Sequence, residues 1–244
     1  MASSWKDSTL AIIPTYNECI SIRPLVAELL TLYPKIHICV VDDDSPDGTG
    51  EVVEDLAREH DGKVFVVHRT EKSGRGSAVV EGLQFGLSQS RYKYFVEMDS
   101  DFSHAPKEFQ RLMEQADSYD IVIGSRYLPD SRIVNWPLKR RLFSRCANFL
   151  IHFLLKIPIS DYTNGFRCYS LKAVEKLNFD QVQGAGFVVL SSLAYQLHLK
   201  GFSFGEVHTR FVNRVRGESK FTLTEVLHSF FTVWKIKDKS KNKP

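Results

Sequence analysis

Four times in its first hundred residues the chain obeys one rule: a short apolar run stops abruptly on a polar, mostly acidic cluster. LAIIPTY (10–16) leads into Asn17 and Glu18, and HICVVDDD (37–44) ends on three aspartates. KVFVVHR (63–69) precedes a Glu-Lys-Ser-Gly-Arg-Gly stretch, and YKYFVEMD (92–99) reaches Asp99 and then Asp101. Between these runs, segments 18–33, 49–60 and 74–90 carry helical apolar spacing. Strands that are apolar throughout are buried on both faces, so their alternation with helices predicts a mostly parallel, doubly wound α/β sheet flanked by helices. A further strand is expected over YDIVIGSRY (119–127). After it come a basic, then apolar, helix over 136–159, a polar loop at SDYTNGFRCYS (160–170) and a helix over 186–200. The end of the chain reads as an amphipathic helix running into a lysine-rich tail.

In open sheets of this kind ligands bind beyond the carboxyl ends of the strands, where strand order reverses. Those ends here are the polar clusters. The first strand ends in Pro14-Thr15-Tyr16-Asn17-Glu18 with no glycine, which argues against a dinucleotide fingerprint, and no GK[ST] occurs, which argues against a P-loop. In FVEMDSDFSH (95–104) an extended strand running through residue 101 would place Asp99 and Asp101 on one face. Two carboxylates so close repel unless a cation lies between them, and a hard divalent ion suits oxygen ligands. The plainer alternative is an exposed turn, since Asp, Ser and His are ordinary turn residues.

Composition narrows the field without choosing within it. With 244 residues, 43% hydrophobic and 25% charged, the chain is long enough for a substantial core. A net charge of +3 does not call for nucleic acid as a partner. Cys19, Cys39, Cys146 and Cys168 are scattered, which suits reduced thiols in the cytoplasm rather than a disulfide framework. MASSWKDSTL lacks the pattern of a signal peptide, and no stretch reaches the roughly 20 apolar residues of a membrane span.

Six motifs in order, IIPTYNE, VVDDDSPDGT, MDSDFSH, GSRY, DYTNGFRCY and FVNRVRGESK, resemble family 2 glycosyltransferases of the GT-A (Rossmann-like) nucleotide-sugar-binding fold. They look most like the dolichyl-phosphate (polyprenyl-phosphate) mannosyltransferase branch. The resemblance spans about residues 9–222, which defines the expected catalytic domain, 1–222, ahead of a helix and basic tail over 223–244. It implies a hexosyltransferase that moves mannose from GDP-mannose to a polyprenyl monophosphate with inversion. Carried over by position, Pro14, Tyr16 and Glu18 would border the nucleotide, with Val41 and Asp43 at the base or ribose. Asp99, Ser100 and Asp101 match the D-x-D motif, whose carboxylates hold Mg²⁺ or Mn²⁺ against the diphosphate. Arg126, Arg214 and Lys220 would line that diphosphate, and Arg214, Arg216 and Lys220 share a glycine-containing loop suited to closing over donor.

Arg140 and Ser144, four residues apart on one helical face, match the branch's clasp for the acceptor phosphate; a solvated basic face is the alternative. Asn164 departs from the usual T-[ST]-G-F-R wording around Thr163, Gly165 and Arg167, and Arg167 is open to a structural role. An acceptor phosphate is already mostly ionised near neutral pH, so no catalytic base is expected. Other donors (UDP-glucose or UDP-GlcNAc), a hydroxyl acceptor needing a base, and a non-catalytic nucleotide-sugar-binding subunit stay open. A polyprenyl tail also implies a membrane surface. Lys139, Arg140, Arg141 and Arg145 followed by FLIHFLLKI could lie at that surface or pack in the core, and a small membrane-anchoring subunit would be a further partner.

Overall fold

A computed structural model describes residues 5–182, 186–213, 232 and 234. Strand β1 (Thr9–Thr15) lies between β2 (His37–Asp42) and β4 (Tyr94–Glu97), parallel to both, and β3 (Val64–His68) pairs with the far edge of β2. Beyond β4 comes β7 (Arg167–Ser170), antiparallel both to β4 and to β5 (Ile121–Ser125), and β8 (Phe204–His208) closes the sheet parallel to β5. The order β3-β2-β1-β4-β7-β5-β8 reverses direction at β1 and β4, so the crevice opens beyond Thr15 and Glu97.

The two-residue period of β1 divides the core. Leu10 and Ile12 face one side with α3 (Arg75–Ser88), while Ala11 and Ile13 face the other with α1 (Ile22–Leu32) and α2 (Thr49–Glu59). Each such fully buried branched side chain contributes about 1.5–3 kcal/mol. Helix α3 can lie close on the sheet because it presents glycine: a Cβ on Gly86 would stand 2.6 Å from the Phe95 ring. That closeness brings Arg75, at the start of α3, to the ends of β1 and β4.

Up to residue 213 the expected elements are present with shifted ends and two differ in kind, while the C-terminal amphipathic helix (apart from residues 232 and 234) and the lysine-rich tail lie outside the described residues. Strand β4 stops at Glu97, two residues before Asp99, so the aspartates sit in the turn beyond the strand rather than on one strand face. Part of the loop expected over 160–170 is β7, a central strand. Its sequence, Arg-Cys-Tyr-Ser, hides a buried strand because Arg167 is itself fully buried. Arg167 donates to the carbonyls of Asn164 (2.8 Å), Tyr162 (2.8 Å) and Leu190 (3.1 Å).

Helix α4 (Phe109–Met113) follows the D-x-D turn, and β6 (Arg132–Val134) pairs in parallel with β9 (Arg210–Val212) over the crevice side of the sheet. Helix α5 (Leu138–Leu155) begins after Pro137 and ends where Lys156 turns left-handed (φ 56°), two residues before Pro158. The short α6 (Leu171–Val174) and then α7 (Phe187–Leu199) complete the order. Arg214, Arg216, Lys220 and the division expected at 222/223 lie outside the described residues.

Candidate active site

Two cavities meet at the crevice. The first, about 350 Å³, is polar: Pro14, Tyr16, Glu18 and Asp43 come from the ends of β1 and β2, and Asp99, Ser100 and Asp101 from the end of β4. The second, about 280 Å³, is mostly apolar, with Trp136, Phe143, Ala147 and Leu190 around Arg126, Ser144 and Thr163. Arg75, Asp99, Arg140 and Phe211 border both, so they form the wall where the contents of the two cavities would touch.

The rim of the first cavity is stitched by side-chain hydrogen bonds. Thr15 donates to the Asp42 carboxylate (3.1 Å), the Asn17 amide to Ser45 Oγ (3.0 Å) and the Glu18 amide to Thr49 Oγ1 (2.9 Å). Asn17 and Asp44 both hold φ of 60°, a left-handed turn that asparagine and aspartate tolerate better than most residues. The Tyr16 ring carries the Lys72 ammonium 3.4 Å from its centre. Asp43 borders this cavity, but its carboxylate already receives Arg69 and the amides of Ser73 (3.0 Å) and Gly74 (2.7 Å), which anchors the turn into α3. The Val41 side chain is in the core, so any contact it makes with a nucleotide falls to its main chain.

The D-x-D turn has a cation of its own. Arg75 donates from Nε to Asp99 Oδ1 (2.7 Å) and from Nη2 to the Gly165 carbonyl (3.1 Å). A Cβ on Gly165 would collide with this guanidinium, so glycine there leaves it room. Behind it lies Glu97, wholly buried, with Oε2 3.8 Å from Arg75 Nη1 and Oε1 accepting from the Tyr169 hydroxyl (3.2 Å). Burial raises the Glu97 carboxyl to about 7, against the pull of Arg75 and Arg167. Burial pushes Asp99 in the same direction, yet Arg75 and then His104 outweigh it and hold that carboxyl below its ordinary value. His104 is fully buried between Asp99 and Asn164 (Nε2 to Oδ1, 2.8 Å), and burial lowers its pKa.

Among the described residues no three His, Cys, Asp or Glu side chains converge as a ready-made metal cage. A magnesium-like ion requires none, since it is commonly held by one or two carboxylates together with substrate phosphates and waters. Asp101 accepts from the Ser103 amide (3.0 Å) through Oδ1 and shares one cavity wall with Asp99, Ser100 and Ser103. This oxygen-only donor set fits a hard cation completed by a diphosphate.

In the second cavity Arg126 is fixed rather than free. Its Nε and Nη2 reach the two oxygens of the buried Asp161 (2.7 and 2.8 Å), and Nη2 also reaches Thr163 Oγ1 (2.6 Å). Burial would raise the Asp161 carboxyl, but Arg126 overcomes that and holds it low. Arg126 borders this cavity and not the first. Arg140 lies 4.3 Å from the centre of the Trp136 ring and donates to Asn213 Oδ1 (2.8 Å), and Ser144 Oγ accepts from the Tyr127 hydroxyl (2.6 Å). Arg140 and Ser144 do share the inward side of α5.

Sequence reasoning singled out neither Arg75, Glu97 and Asp161 nor the aromatic wall of Trp136 and Phe211. Arg75 lies in the Glu-Lys-Ser-Gly-Arg-Gly stretch after the third apolar run. The usable signal was a cation between two glycines at a strand-to-helix turn on the acidic edge.

The fold is GT-A-like, that of nucleotide-sugar glycosyltransferases. Glucosyl-3-phosphoglycerate synthase from Mycobacterium tuberculosis, crystallised with Mn²⁺, UDP and phosphoglyceric acid, superposes with a TM-score of 0.65 at 17% identity, over 98% of this chain and 80% of that one. Mannosyl-3-phosphoglycerate synthase from Rubrobacter xylanophilus gives 0.64 at 16% identity, over 96% and 74%. The chain belongs to glycosyl transferase family 2, whose model matches residues 10–178. It is 40% identical over 232 residues to polyprenol monophosphomannose synthase of Mycolicibacterium smegmatis (94% of this chain, 87% of that protein). It is 37% identical over 213 residues to undecaprenyl-phosphate mannosyltransferase of Micrococcus luteus (87% of each).

Proposed function

We propose that the protein transfers mannose from GDP-mannose to a polyprenyl monophosphate, with inversion at the anomeric carbon. The observation that carries this reading is the pair of cavities joined at Asp99 and Arg140, one polar and carboxylate-lined, the other apolar with cations at its mouth. A nucleoside diphosphate suits the first, and a phosphate on a hydrocarbon chain suits the second. Two relatives named for mannosyl transfer to polyprenols, matched over most of their length, support the same assignment.

Asp99 and Asp101 would hold Mg²⁺ or Mn²⁺, which when bound neutralises the departing diphosphate. Ser100 and Glu18 border the donor, and Tyr16 offers a ring to its nucleotide. Arg140 and Ser144 orient the acceptor phosphate, and Arg126, held rigid by Asp161, adds positive charge behind it. The phosphate oxygen attacks as an anion, so no side chain needs to take a proton. Among the described residues no helix is long and apolar enough to cross a membrane. Peripheral association with the cytoplasmic face of a membrane, with or without a small anchoring subunit, is the placement that fits this reading.

The test pairs acceptors and donors. Purified protein with Mn²⁺ and labelled GDP-mannose should yield lipid-linked, acid-labile product from polyprenyl phosphate and none from the free polyprenol. Comparable product from the alcohol, or better transfer from UDP-glucose or UDP-GlcNAc, would overturn the assignment.

A further inference from the structure

A third cavity, about 290 Å³, opens on the other side of α5 from the acceptor clasp. Arg126 closes its inner end, Arg141 and Arg145 form its side, and Ser131 contributes a hydroxyl. Among the described residues no carboxylate lines it, and of its arginines only Arg126 is paired with a carboxylate, Asp161 on the far side. Arg141 donates from Nη2 to the Ile133 carbonyl (2.6 Å), while its buried Nε has no hydrogen-bond partner among the described residues. A buried donor without an acceptor is costly, and an anion in the cavity would supply one.

The lip of this cavity is apolar and exposed. Leu138 and Leu142 line it and are 80% and 64% exposed. Along the same helical stripe, at spacings of three and four, follow Arg145, Phe149 (70%) and Phe153 (69%). Helix α5 carries Lys139, Arg140, Arg141 and Arg145 and no acidic residue. Basic side chains set among exposed aliphatic and aromatic ones match the profile of an anionic amphiphile, charged at its head and apolar beyond it.

We infer that this cavity binds the phosphate of an anionic phospholipid, with Leu138, Leu142, Phe149 and Phe153 lying among its acyl chains. The inference extends the peripheral membrane placement proposed above and is separate from the transfer reaction. It puts two phosphate sites on opposite sides of one helix: the acceptor's on the inward side at Arg140 and Ser144, a bilayer lipid's on the outward side at Arg141 and Arg145.

Vesicle co-sedimentation tests it on the full chain. Protein should partition onto phosphatidylcholine vesicles containing phosphatidylglycerol far better than onto phosphatidylcholine alone. Arg141→Gln and Arg145→Gln should each lower that partition about fivefold, with Lys139→Gln, an equal charge change on the same helix outside the cavity, losing clearly less. Arg145 is exposed and is the arm least exposed to folding artefacts, which thermal melts would reveal. Equal losses at Lys139 and Arg145 would reduce the site to a diffuse basic face and overturn it. So would indifference to phosphatidylglycerol, or full displacement by inorganic phosphate at matched ionic strength. Wild-type transfer to a water-soluble short-chain isoprenyl phosphate, measured in parallel, reports the proposed reaction independently; its absence would sink that reaction and leave the vesicle result standing.

Discussion

Arg75 Nε lies 2.7 Å from Asp99 Oδ1, and the same guanidinium has Nη1 3.8 Å from the buried Glu97. One cation therefore serves two carboxylates, one in the core and one on the wall shared by both cavities. Removing it leaves Glu97 to Arg167 alone, whose Nε is 3.9 Å from the same carboxylate, and costs about 3 kcal/mol, the low end for a buried pair broken from one side. Arg75→Ala should destabilise by that order in urea melts. Adding Glu97→Gln should restore much of the loss, because the amide needs no counter-charge. Additive effects in this double-mutant cycle would show that the two residues are not energetically coupled.

The Asp161–Arg126 pair gives a pH signature. The Asp161 carboxyl is held below its ordinary 3.8 in the folded chain. The unfolded chain therefore takes up the proton first as pH falls, so stability from the pair is fully present above that value and is lost as pH drops through the folded one. Asp161→Asn removes this dependence and leaves a buried, uncompensated guanidinium, at a cost of about 3–5 kcal/mol near neutrality. Denaturant midpoints measured from neutral pH downward should converge for the two proteins in acid. Curves that stay parallel at every pH would mean that the pair contributes nothing through its charge.

Much of the fold was legible because strands buried on both faces announce themselves as apolar runs, as LAIIP and ICVV do. Strand β7 was not, since a fully buried Arg167 in its first position breaks the run, and only tertiary partners make that arginine tolerable there. The acidic strand ends marked the edge at which the cavities open, and the resemblance supplied most residues of the first cavity but a minority of the second. Local sequence has no means of saying that Asp43 is occupied by Arg69 and the turn into α3, or that Asp99 is paired with Arg75. Those partners lie 24 to 31 positions away: Asp43 meets Arg69 because β3 pairs beside β2, and Arg75 meets Asp99 because α3 packs back across β1 toward the end of β4.

Asp101 offers the cleanest probe of the proposed cation. Asp99 is tied to Arg75, whereas the Asp101 carboxylate has a single hydrogen bond, from the Ser103 amide, among the described residues. Asp101→Asn preserves that bond through its carbonyl oxygen, so thermal stability should change by less than about 1 kcal/mol. Mn²⁺-dependent affinity for GDP should fall by at least about tenfold, and turnover more steeply. Calorimetry showing unchanged Mn²⁺-dependent GDP binding would remove the metal from this turn.

Arg140 distinguishes the two substrates. It stacks on Trp136, donates to Asn213 and borders both cavities, but it projects from the helix that also carries Ser144 beside the apolar cavity. A guanidinium that orients the acceptor phosphate acts mainly on that substrate, and a charge-assisted bond of this kind is worth about 1.5–3 kcal/mol. Arg140→Ala should therefore raise KM for polyprenyl phosphate by roughly 10- to 100-fold, with KM for GDP-mannose within about threefold of wild type. Arg140→Lys, a point charge without the fork, should recover only part of the loss. Steady-state kinetics with each substrate varied in turn decides the matter. Equal rises in both constants would place Arg140 on the donor side of the shared wall, and a loss of thermal stability without any change in KM would reduce it to a packing partner of Trp136.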